Sequence, residues 1–308
     1  MGKIANLKRF ITDKKFRFAI LASHGFLRGM NDRKFIEKSY FLTTGKKLNL
    51  DEPKTYNDKI NWIKLNHRDP LLTTMVDKYL VKKYVADIIG EEYIIPTLGV
   101  WDKFEDIDFD SLPNQFVLKC THDSGGLVIC KDKSKFNFKS AKKKINKSLK
   151  RNYYDYVREW PYKNVKPRII AEKFISDSSG GLIDYKTYNI NGKFIMTMVC
   201  LDRHTGETKF YFMSKDWKHL VYTKASQKKP DFMMEKPASI DKMSELAEKL
   251  AVGLPFARVD FYDVDGHPYF GEITFFSDGG TELYHNDEFQ QKYGEMIDLS
   301  LIKKVKDK

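Results

Sequence analysis

The chain has 308 residues, enough for one large domain or for two to three smaller lobes, and its 42% hydrophobic and 14% aromatic residues exclude wholesale disorder. The net charge of +12 predicts an anionic partner, such as a nucleotide, an acidic polysaccharide or an anionic membrane surface. No RNA-recognition pattern of aromatic residues accompanies this charge, so nucleic acid is not an expected partner.

Cysteine content and hydropathy predict the compartment. Cys120, Cys130 and Cys200 form no Cys-x-x-Cys pair and no even set, which favours a reducing compartment and predicts a cytoplasmic protein. No run of about 18 apolar residues is present, so a transmembrane helix is not expected. The basic and aromatic N-terminus could rest peripherally on the anionic inner face of the plasma membrane, or it could pack on its own domain.

Residues 1–75 are predicted to form a helical, basic N-terminal region. Thr55 is a helix cap that Asp58 can answer three residues later, which is the pattern of a capping box. Apolar residues recur at helical spacing over Leu71–Ile89, so we predict one continuous helix there, ended by a glycine.

Phe116–Cys120 and Leu127–Cys130 are predicted to be the two strands of a lid-like hairpin, because both are short apolar runs. The loop between them carries Ser124, Gly125 and Gly126. Backbone N–H groups of such a loop can hold phosphate oxygens, and Lys119 would add a point charge. The alternative is an ordinary turn, since Ser-Gly-Gly is common in turns.

The next segment is densely basic. Ten of the residues in Lys131–Arg151 are Lys or Arg, and only Asp132 is acidic. Ala141, Ile145 and Leu149 recur every four residues, which predicts a helix with one apolar stripe over 139–151. Its charged face is either simply solvated or a landing surface for a polyanion.

The second half of the chain begins with further strand patterns. Arg168–Ile175 is an apolar run, and Asp184–Ile190 and Lys193–Cys200 are predicted to form a hairpin around the turn Asn191-Gly192. Lys186 lies in the middle of its predicted strand, where a lysine is unusual unless it has a partner.

Arg258–Thr274 is predicted to be another hairpin, in which Asp260 and Glu272 lie among aromatic residues. Two carboxylates on one face beside Arg258 suit a hard cation such as Mg²⁺ that holds a polyphosphate. The alternative is an amphipathic surface hairpin with no ligand.

Register decides which side chains of this hairpin share a face. A two-residue loop at 265–266 would pair Asp260 with Gly271 and turn Glu272 to the opposite face. We predict instead a three-residue loop at 264–266 with a bulge at Gly266, which pairs Asp260 with Phe270 and Arg258 with Glu272.

The order of these parts resembles the TupA-like family of the ATP-grasp superfamily, over roughly residues 50–285. The motifs that carry the resemblance are Pro53-Lys-Thr-Tyr-Asn-Asp-Lys59, Val76-Asp-Lys78, Ile89-Gly90 to Pro96, Phe116-Val-Leu-Lys119, His122-Asp-Ser-Gly-Gly126, Pro167-Arg-Ile-Ile-Ala-Glu172, Asp184-Tyr-Lys186, Arg258-Val-Asp260 and Phe270-Gly-Glu-Ile-Thr-Phe275. The resemblance implies an α+β ATP-grasp fold, with ATP between two α+β lobes, and the helical N-terminal region in addition. The first lobe would span 76–175 with the glycine-rich loop, and the second 176–308 with the metal site.

The resemblance also implies a role for each matching residue. Lys119 and the loop Ser124-Gly125-Gly126 would contact the ATP phosphates, and Lys186 would reach them from the second lobe. The adenine hinge would be formed by Glu172 and the backbone of Lys173 and Phe174. The Mg²⁺ ligands would be Asp260, Glu272 and Thr274, and Arg258 would steady the phosphoryl group in transfer. Thr274 stands where the superfamily usually has an asparagine, and the N-terminal domain is shorter than usual.

These roles imply an ATP-dependent carboxylate–amine ligase that acts through an acyl phosphate. The family setting implies that an amino acid or another amine is attached to an acidic sugar or polymer in capsule or cell-surface polysaccharide biosynthesis. His122 is a candidate for the base that activates the amine, with an ordinary loop histidine as the alternative.

Two other functions are compatible with the sequence. Asp263-Val-Asp265 formally matches the metal-binding D-x-D of sugar-nucleotide glycosyltransferases, although aspartates are common in turns. A non-catalytic polyanion binder would also explain the positive charge, and its binding would weaken steeply with salt.

Overall fold

The computed structural model describes residues 3–178, 181–201, 208–282 and 287–302. Its α-helices in chain order are α1 Lys3–Thr12, α2 Lys14–Ser23, α3 Asp32–Thr44, α4 Tyr56–Asn66, α5 Leu71–Val76, α6 Leu80–Ile89, α7 Phe138–Leu149, α8 Tyr154–Val157, α9 Lys224–Lys228, α10 Ile240–Leu250 and α11 Asp287–Met296. Its strands are β1 Thr97–Trp101, β2 Phe116–Cys120, β3 Leu127–Cys130, β4 Ile169–Lys173, β5 Asp184–Ile190, β6 Lys193–Leu201, β7 Lys209–Ser214, β8 His219–Leu220, β9 Phe256–Val264 and β10 His267–Thr274.

The N-terminal region is helical, as predicted, and side-chain caps explain where its helices begin. Asp13 accepts a hydrogen bond from the Phe16 amide at the start of α2. The predicted capping box at the start of α4 is present, because Thr55 and Asp58 each accept the other's backbone N–H. Helices α2 and α3 pack through a small core of their own.

The prediction of one continuous helix over Leu71–Ile89 is wrong, because the chain breaks between α5 and α6. The buried Asp77 carboxylate accepts hydrogen bonds from the amides of Tyr79 and Leu80, at 2.8 and 3.2 Å, and so caps α6 from within the apolar pattern. The break turns Lys78 away from the helix, and its amide donates to the Thr121 carbonyl. The spacing of apolar residues could not reveal this break, since the same apolar pattern continues from α5 into α6.

The smaller sheet has the strand order β1-β4-β2-β3 and is antiparallel throughout. The lid-like hairpin is present as β2 and β3, with Lys119 opposite Leu127. The predicted basic helix is α7, and its apolar stripe buries Ala141 and Ile145 against β2 and β3. Lysines therefore cover the opposite face of α7.

The larger sheet has the strand order β10-β9-β5-β6-β7-β8 and is also antiparallel. The predicted turn between β5 and β6 is confirmed, with Asn191 and Gly192 both at positive φ. Helices α4, α5, α6, α10 and α11 contribute to the hydrophobic core that this sheet shares. The core thus joins α6 to the larger sheet, and the division of the chain at 75/76 and 175/176 stays a prediction.

The predicted register of the β9–β10 hairpin is wrong. Val264 pairs with His267 across a two-residue turn in which Asp265 and Gly266 have φ values of 52° and 86°. A bulge at Gly271 then absorbs one residue, so that Asp260 pairs with Glu272. The bulge restores the shared face that the two-residue turn alone would have destroyed. A Cβ on Gly271 would lie 3.1 Å from the Asp260 carbonyl oxygen, which explains why the bulge contains a glycine.

Candidate active site

A cleft of about 630 Å³ lies between the two sheets, and we call it the inter-sheet cleft. Its polar lining includes Lys119, Glu172, Lys186, Asp260 and Glu272. A more apolar space of about 710 Å³ adjoins it and shares Lys119, Glu172 and three further residues with it. One elongated site therefore has a charged end and an apolar end, which is the general form of a site for a charged cofactor with a flat ring.

Glu172 on β4 lies between two lysines. Its carboxylate is 2.5 Å from the Nζ atoms of both Lys82 on α6 and Lys119 on β2. Burial alone would raise the pKa of Glu172, but the two ammonium groups outweigh it and the pKa is lowered. Glu172 thus stays ionised and holds both lysines at the wall of the cleft.

The predicted hinge residues line the apolar end of the site. The Lys173 amide donates to the Pro96 carbonyl at 3.0 Å, so this N–H is already engaged. The Phe174 ring lies beneath Lys131, whose Nζ is 5.9 Å from the ring centroid. Glu172 differs from the expectation of a hinge contact, because its side chain faces the lysines of the charged end.

The loop of the lid-like hairpin borders the cleft with Ser124, Gly125 and Gly126. Gly125 has φ 102°, a conformation that side chains rarely allow. A Cβ on Gly126 would collide with the Ser148 hydroxyl on α7. In the described part of the chain, no protein acceptor takes the N–H of Ser124 or Gly125. Both amides are therefore open to an anion.

Two lysines of the cleft received no role in the sequence-based interpretation. Lys78 donates to the Asp123 carbonyl at 2.5 Å, and Lys82 donates to the Ile95 carbonyl and pairs with Glu172. Both line the cleft beside Lys119. Sequence reasoning could not place them together, because Lys78 lies in the break before α6 and Lys82 lies on α6.

The opposite wall is formed by charged side chains of the larger sheet. Arg258 binds Asp260 bidentately, with Nε–Oδ1 and Nη2–Oδ2 distances of 2.7 and 2.9 Å. Lys186 donates to the same Asp260, and its Nζ atom lies 2.8 Å from Asp184. These two carboxylates are the partners that a buried lysine in mid-strand needs. Burial opposes ionisation of Asp260, but the two cations outweigh it and lower its pKa.

Glu272 and Thr274 lie on the same face of the hairpin as Arg258 and Asp260. The Arg258 Nη2 atom that contacts Asp260 is also 3.1 Å from Glu272 Oε1 and 3.1 Å from Thr274 Oγ1. The Glu272 side chain is 43% exposed, in contrast to 3% for Asp260. Glu272 is consequently the more accessible carboxylate of the pair.

The donor set fits a magnesium ion that is shared with a polyphosphate. Within the described ranges, no group of three or more His, Cys, Asp or Glu side chains could hold a metal alone. Mg²⁺ needs no such cage, since it is commonly held by one or two carboxylates, waters and phosphate oxygens. Asp260 and Glu272 meet that requirement, and Thr274 adds a neutral oxygen.

His122 is not placed to activate a substrate, which corrects its candidacy as a base. Its ring is buried, and Nε2 lies 3.2 and 3.1 Å from the carbonyl oxygens of Ser148 and Arg151. The ring thus ties the loop to the end of α7. Burial lowers its pKa, which favours the neutral ring.

A second space of about 310 Å³, which we call the side cavity, adjoins the charged end of the inter-sheet cleft. Helices α3 and α4 of the N-terminal region form part of its wall. Arg258 and Glu272 line both spaces. The remaining wall includes Lys64 of α4, Glu159 between α8 and β4, and side chains of α3. Sequence reasoning missed Lys64 and Glu159, because neither lies in a motif and each is buried only through distant contacts.

Comparison with known proteins identifies relatives of this arrangement. A family model described as TupA-like ATPgrasp matches residues 58–298. No curated protein matches the chain significantly. Similar solved structures include the D-alanine–D-alanine ligase from Bacillus anthracis complexed with ATP, with 17% identity over 94% of this chain and 91% of that chain and a TM-score of 0.46.

Two further similar structures are more distant in coverage. The D-alanine–D-alanine ligase from Helicobacter pylori has 16% identity over 78% of this chain and 68% of that chain, with a TM-score of 0.42. The ATP-grasp ligase PsnB, complexed with minimal precursor, Mg and ADP, has 8% identity over 80% of this chain and 66% of that chain, with a TM-score of 0.40. The family assignment of the chain rests on the family model, which covers most of its length.

Proposed function

The chain belongs to the TupA-like ATP-grasp family and has the α+β fold of these ATP-dependent ligases, and we propose that it joins a carboxylate to an amine through an acyl phosphate. One observation carries the proposal. Asp260 and Glu272 share a guanidinium on one wall of the cleft, and Lys82 and Lys119 share a carboxylate on the other wall. A triphosphate between these walls would meet cations on both sides.

ATP would lie along the elongated site with its base in the apolar end, near Phe174, and its phosphates in the charged end. Lys119 and Lys82 would contact the phosphates from the smaller sheet, and Lys186 from the larger sheet. The open amides of Ser124 and Gly125 would bind phosphate oxygens from the loop. Mg²⁺ would be held by Glu272 and Asp260, with Thr274 beside them, and would neutralise phosphate charge.

The two cations on Asp260 have to be shared with the phosphates. A carboxylate offers about four lone-pair sites, and Arg258 and Lys186 together occupy three of those on Asp260. Both are charged whether or not nucleotide is present, since the pKa of each is raised after the opposing effect of burial. They can therefore turn toward phosphate oxygens without a change in protonation.

The reaction has two chemical steps. A carboxylate oxygen of the substrate attacks the γ-phosphorus, and the bond to ADP breaks. The amine nitrogen then attacks the carbonyl carbon of the acyl phosphate, inorganic phosphate leaves with the bonding electrons, and the amine loses a proton. Arg258 and the lysines stabilise the charge on the phosphoryl group during the first step. The loop Ser124-Gly125-Gly126 would limit access of water to the acyl phosphate.

We propose an acidic sugar or acidic polymer as the carboxylate substrate, in capsule or cell-surface polysaccharide biosynthesis. The support is the lysine-covered face of α7 and the net charge of +12. The structure argues against the glycosyltransferase alternative, because both aspartates of its D-x-D motif are engaged in hydrogen bonds. Asp263 accepts hydrogen bonds from Ser239 and the Gly266 amide, and Asp265 accepts one from Ser178, so both aspartates are occupied in the turn.

ADP release tests the proposed function. The protein is incubated with Mg²⁺ and ATP, with glucuronate, galacturonate or polyglutamate, and with an equimolar mixture of the twenty standard amino acids, ethanolamine and glucosamine. ADP formation that requires both the added uronate or polyglutamate and the amine mixture, with an amide between the two detected by mass spectrometry, is the expected result. Turnover of a sugar nucleotide without ATP would instead favour the glycosyltransferase.

Replacing Lys119 by methionine should raise the KM for ATP and lower kcat/KM for ATP by about 10²-fold, because one charged phosphate contact is lost while the side-chain volume is kept. Steady-state ADP release measures the effect. Lys83→Met is the matched control, since Lys83 neighbours Lys82 on α6 but its side chain is 83% exposed. An unchanged KM for ATP in Lys119→Met would remove Lys119 from the site.

We also propose that α1 contacts an anionic membrane surface peripherally. Leu7 and Ile11 are 62% and 65% exposed on this helix, which also carries Lys8 and Arg9. No helix in the described ranges is both long and apolar enough to cross a bilayer. A cytoplasmic location stays a prediction from the cysteine content.

Replacing Leu7 and Ile11 together by glutamate should reduce binding to vesicles of phosphatidylglycerol and phosphatidylcholine at least tenfold, since two apolar anchors are lost and two negative charges are added. Co-sedimentation measures the bound fraction. Pure phosphatidylcholine vesicles are the control, and equal binding to both vesicle types, or by both proteins, would contradict the membrane contact.

A further inference from the structure

Glu159 is a buried carboxylate without a partner. Its residue is 6% exposed. Among the residues that the structure describes, no donor lies within hydrogen-bonding distance of its side chain and no cation lies within 4 Å of it. Its carboxylate faces the side cavity, where it lines the wall. A buried carboxylate without a hydrogen-bond donor is costly, so its position favours an occupant that donates to it.

The cations that line the side cavity are already engaged elsewhere. Lys64 donates to the Gly279 carbonyl at 2.6 Å, and Lys78 donates to the Asp123 carbonyl at 2.5 Å. Arg258 is bound to Asp260 and Glu272. None of them pairs with Glu159. Lys64 and Arg258 act on Glu159 only through space, without a hydrogen bond or ion pair, so the carboxylate is left open to an ammonium group in the cavity.

The side cavity opens where the reaction would occur. It shares Arg258, Glu272 and Ser124 with the inter-sheet cleft, whereas no described residue lines both the side cavity and the apolar space. A group in this cavity would approach the γ-phosphoryl end without crossing the nucleotide. The amine is the substrate that carries positive charge in solution, and it must reach the same carbon atom.

We propose that the side cavity is the amine subsite of the ligase and that Glu159 binds the ammonium group of the amine substrate and then accepts its proton. This inference rests on the proposed function and adds a residue to it. The ammonium ion loses one proton to Glu159, which leaves a nitrogen lone pair. That lone pair forms the C–N bond as the C–O bond to phosphate breaks, and the second proton lost from nitrogen passes to the departing phosphate.

The electrostatic surroundings suit a proton acceptor at neutral pH. Burial raises the pKa of Glu159 to about 7. Lys64 from α4 and Arg258 from β9 oppose this shift, whereas Glu272 from β10 and Asp278 from the following 3₁₀ turn add to it. A base with a pKa close to the working pH can both take up and release a proton during each turnover.

The volume limits the amine to a small molecule. A space of about 310 Å³ is at the lower end of the range for small-molecule sites, roughly 300 to 1,000 Å³. Three tyrosines, Tyr153, Tyr156 and Tyr162, line it and suit an organic cation. An amino acid or an amino sugar fits this space, whereas the polymeric substrate would have to approach from another side.

Replacing Glu159 by glutamine tests the subsite. Amide formation with the amine mixture should fall at least 100-fold, because the ammonium group loses its counter-charge and its proton acceptor. Hydroxylamine serves as the comparison, since it is weakly basic and already neutral at neutral pH. The fold-decrease in hydroxamate formation should therefore be at least ten times smaller than the fold-decrease in amide formation.

The pH dependence supplies a readout that a structural role would not change. Raising the pH deprotonates the amine in solution, so the defect of Glu159→Gln should shrink toward alkaline pH. Glu235→Gln, at an exposed glutamate, is the charge control and should behave as wild type. Circular dichroism and the melting temperature confirm that both variants are folded.

The outcomes separate the two proposals. If wild type releases ADP only with a carboxylate and an amine, and Glu159→Gln lowers hydroxamate and amide formation equally, the assignment of Glu159 is wrong while the ligase function stands. If wild type forms neither product with any carboxylate, the proposed function fails and this inference fails with it.

Discussion

Replacing Glu272 by glutamine should lower the rate of ADP formation by about 10²–10³-fold and leave stability almost unchanged. Glutamine keeps an amide oxygen that can still accept from Arg258 and Thr274, so the hairpin retains its contacts. What it loses is the charge of the more accessible carboxylate, which is 43% exposed. We therefore expect weaker binding of Mg²⁺ and slower phosphoryl transfer.

A magnesium titration shows whether the loss has this cause. The concentration of Mg²⁺ required for half-maximal ADP release should rise in Glu272→Gln, whereas the melting temperature should stay within experimental error. Glu235→Gln controls for the loss of one surface charge. Wild-type turnover at ordinary Mg²⁺ concentration in Glu272→Gln would exclude Glu272 as a metal ligand.

Replacing Asp260 by asparagine should abolish ADP formation and also destabilise the protein by about 3–5 kcal/mol. The Asp260 side chain is 3% exposed and compensates two buried cations, Arg258 and Lys186. Asparagine would leave those cations facing each other with less negative charge. The difference from Glu272→Gln is the point of the experiment, since one carboxylate has a structural partner network and the other is accessible.

Urea unfolding measures this destabilisation, and its pH dependence has a defined sign. The pKa of Asp260 is lowered in the folded state, so its contribution is present above the unfolded pKa of about 3.9 and is lost as the pH falls through the folded pKa. The stability difference between wild type and Asp260→Asn should thus persist at pH 7 and shrink below about pH 4. Asp265→Asn, in the exposed turn, is the control, and equal destabilisation by both would contradict the buried network.

The sequence was sufficient for the shared face of the β9–β10 hairpin but not for its register. The residue types around Asp260 and Glu272 predicted that both carboxylates and Arg258 lie together, and the structure places them together. The three-residue loop was predicted because it keeps the shared face, and it is wrong, because a bulge at Gly271 has the same effect on side-chain direction as a longer turn. Alternation alone cannot distinguish these two solutions.

Other features depended on tertiary contacts that no local pattern reveals. Asp77 interrupts an apolar helical pattern because its carboxylate caps α6 and pairs with Arg168, the residue just before β4. His122 has the sequence context of a catalytic loop, but its ring is anchored to the end of α7. Glu159 could not be recognised from the sequence, because the cavity that it lines is formed by α3, α4 and the β9–β10 hairpin, which are distant from it in the chain.

The most direct measurement is a crystal structure of the protein with Mg²⁺ and a non-hydrolysable ATP analogue. We expect the triphosphate between Lys119 and Lys186, and a metal ion about 2.0–2.1 Å from oxygen atoms of Glu272 and Asp260. The base should occupy the apolar end beside Phe174. A nucleotide bound outside this cleft, or a metal ion that contacts neither carboxylate, would contradict the account.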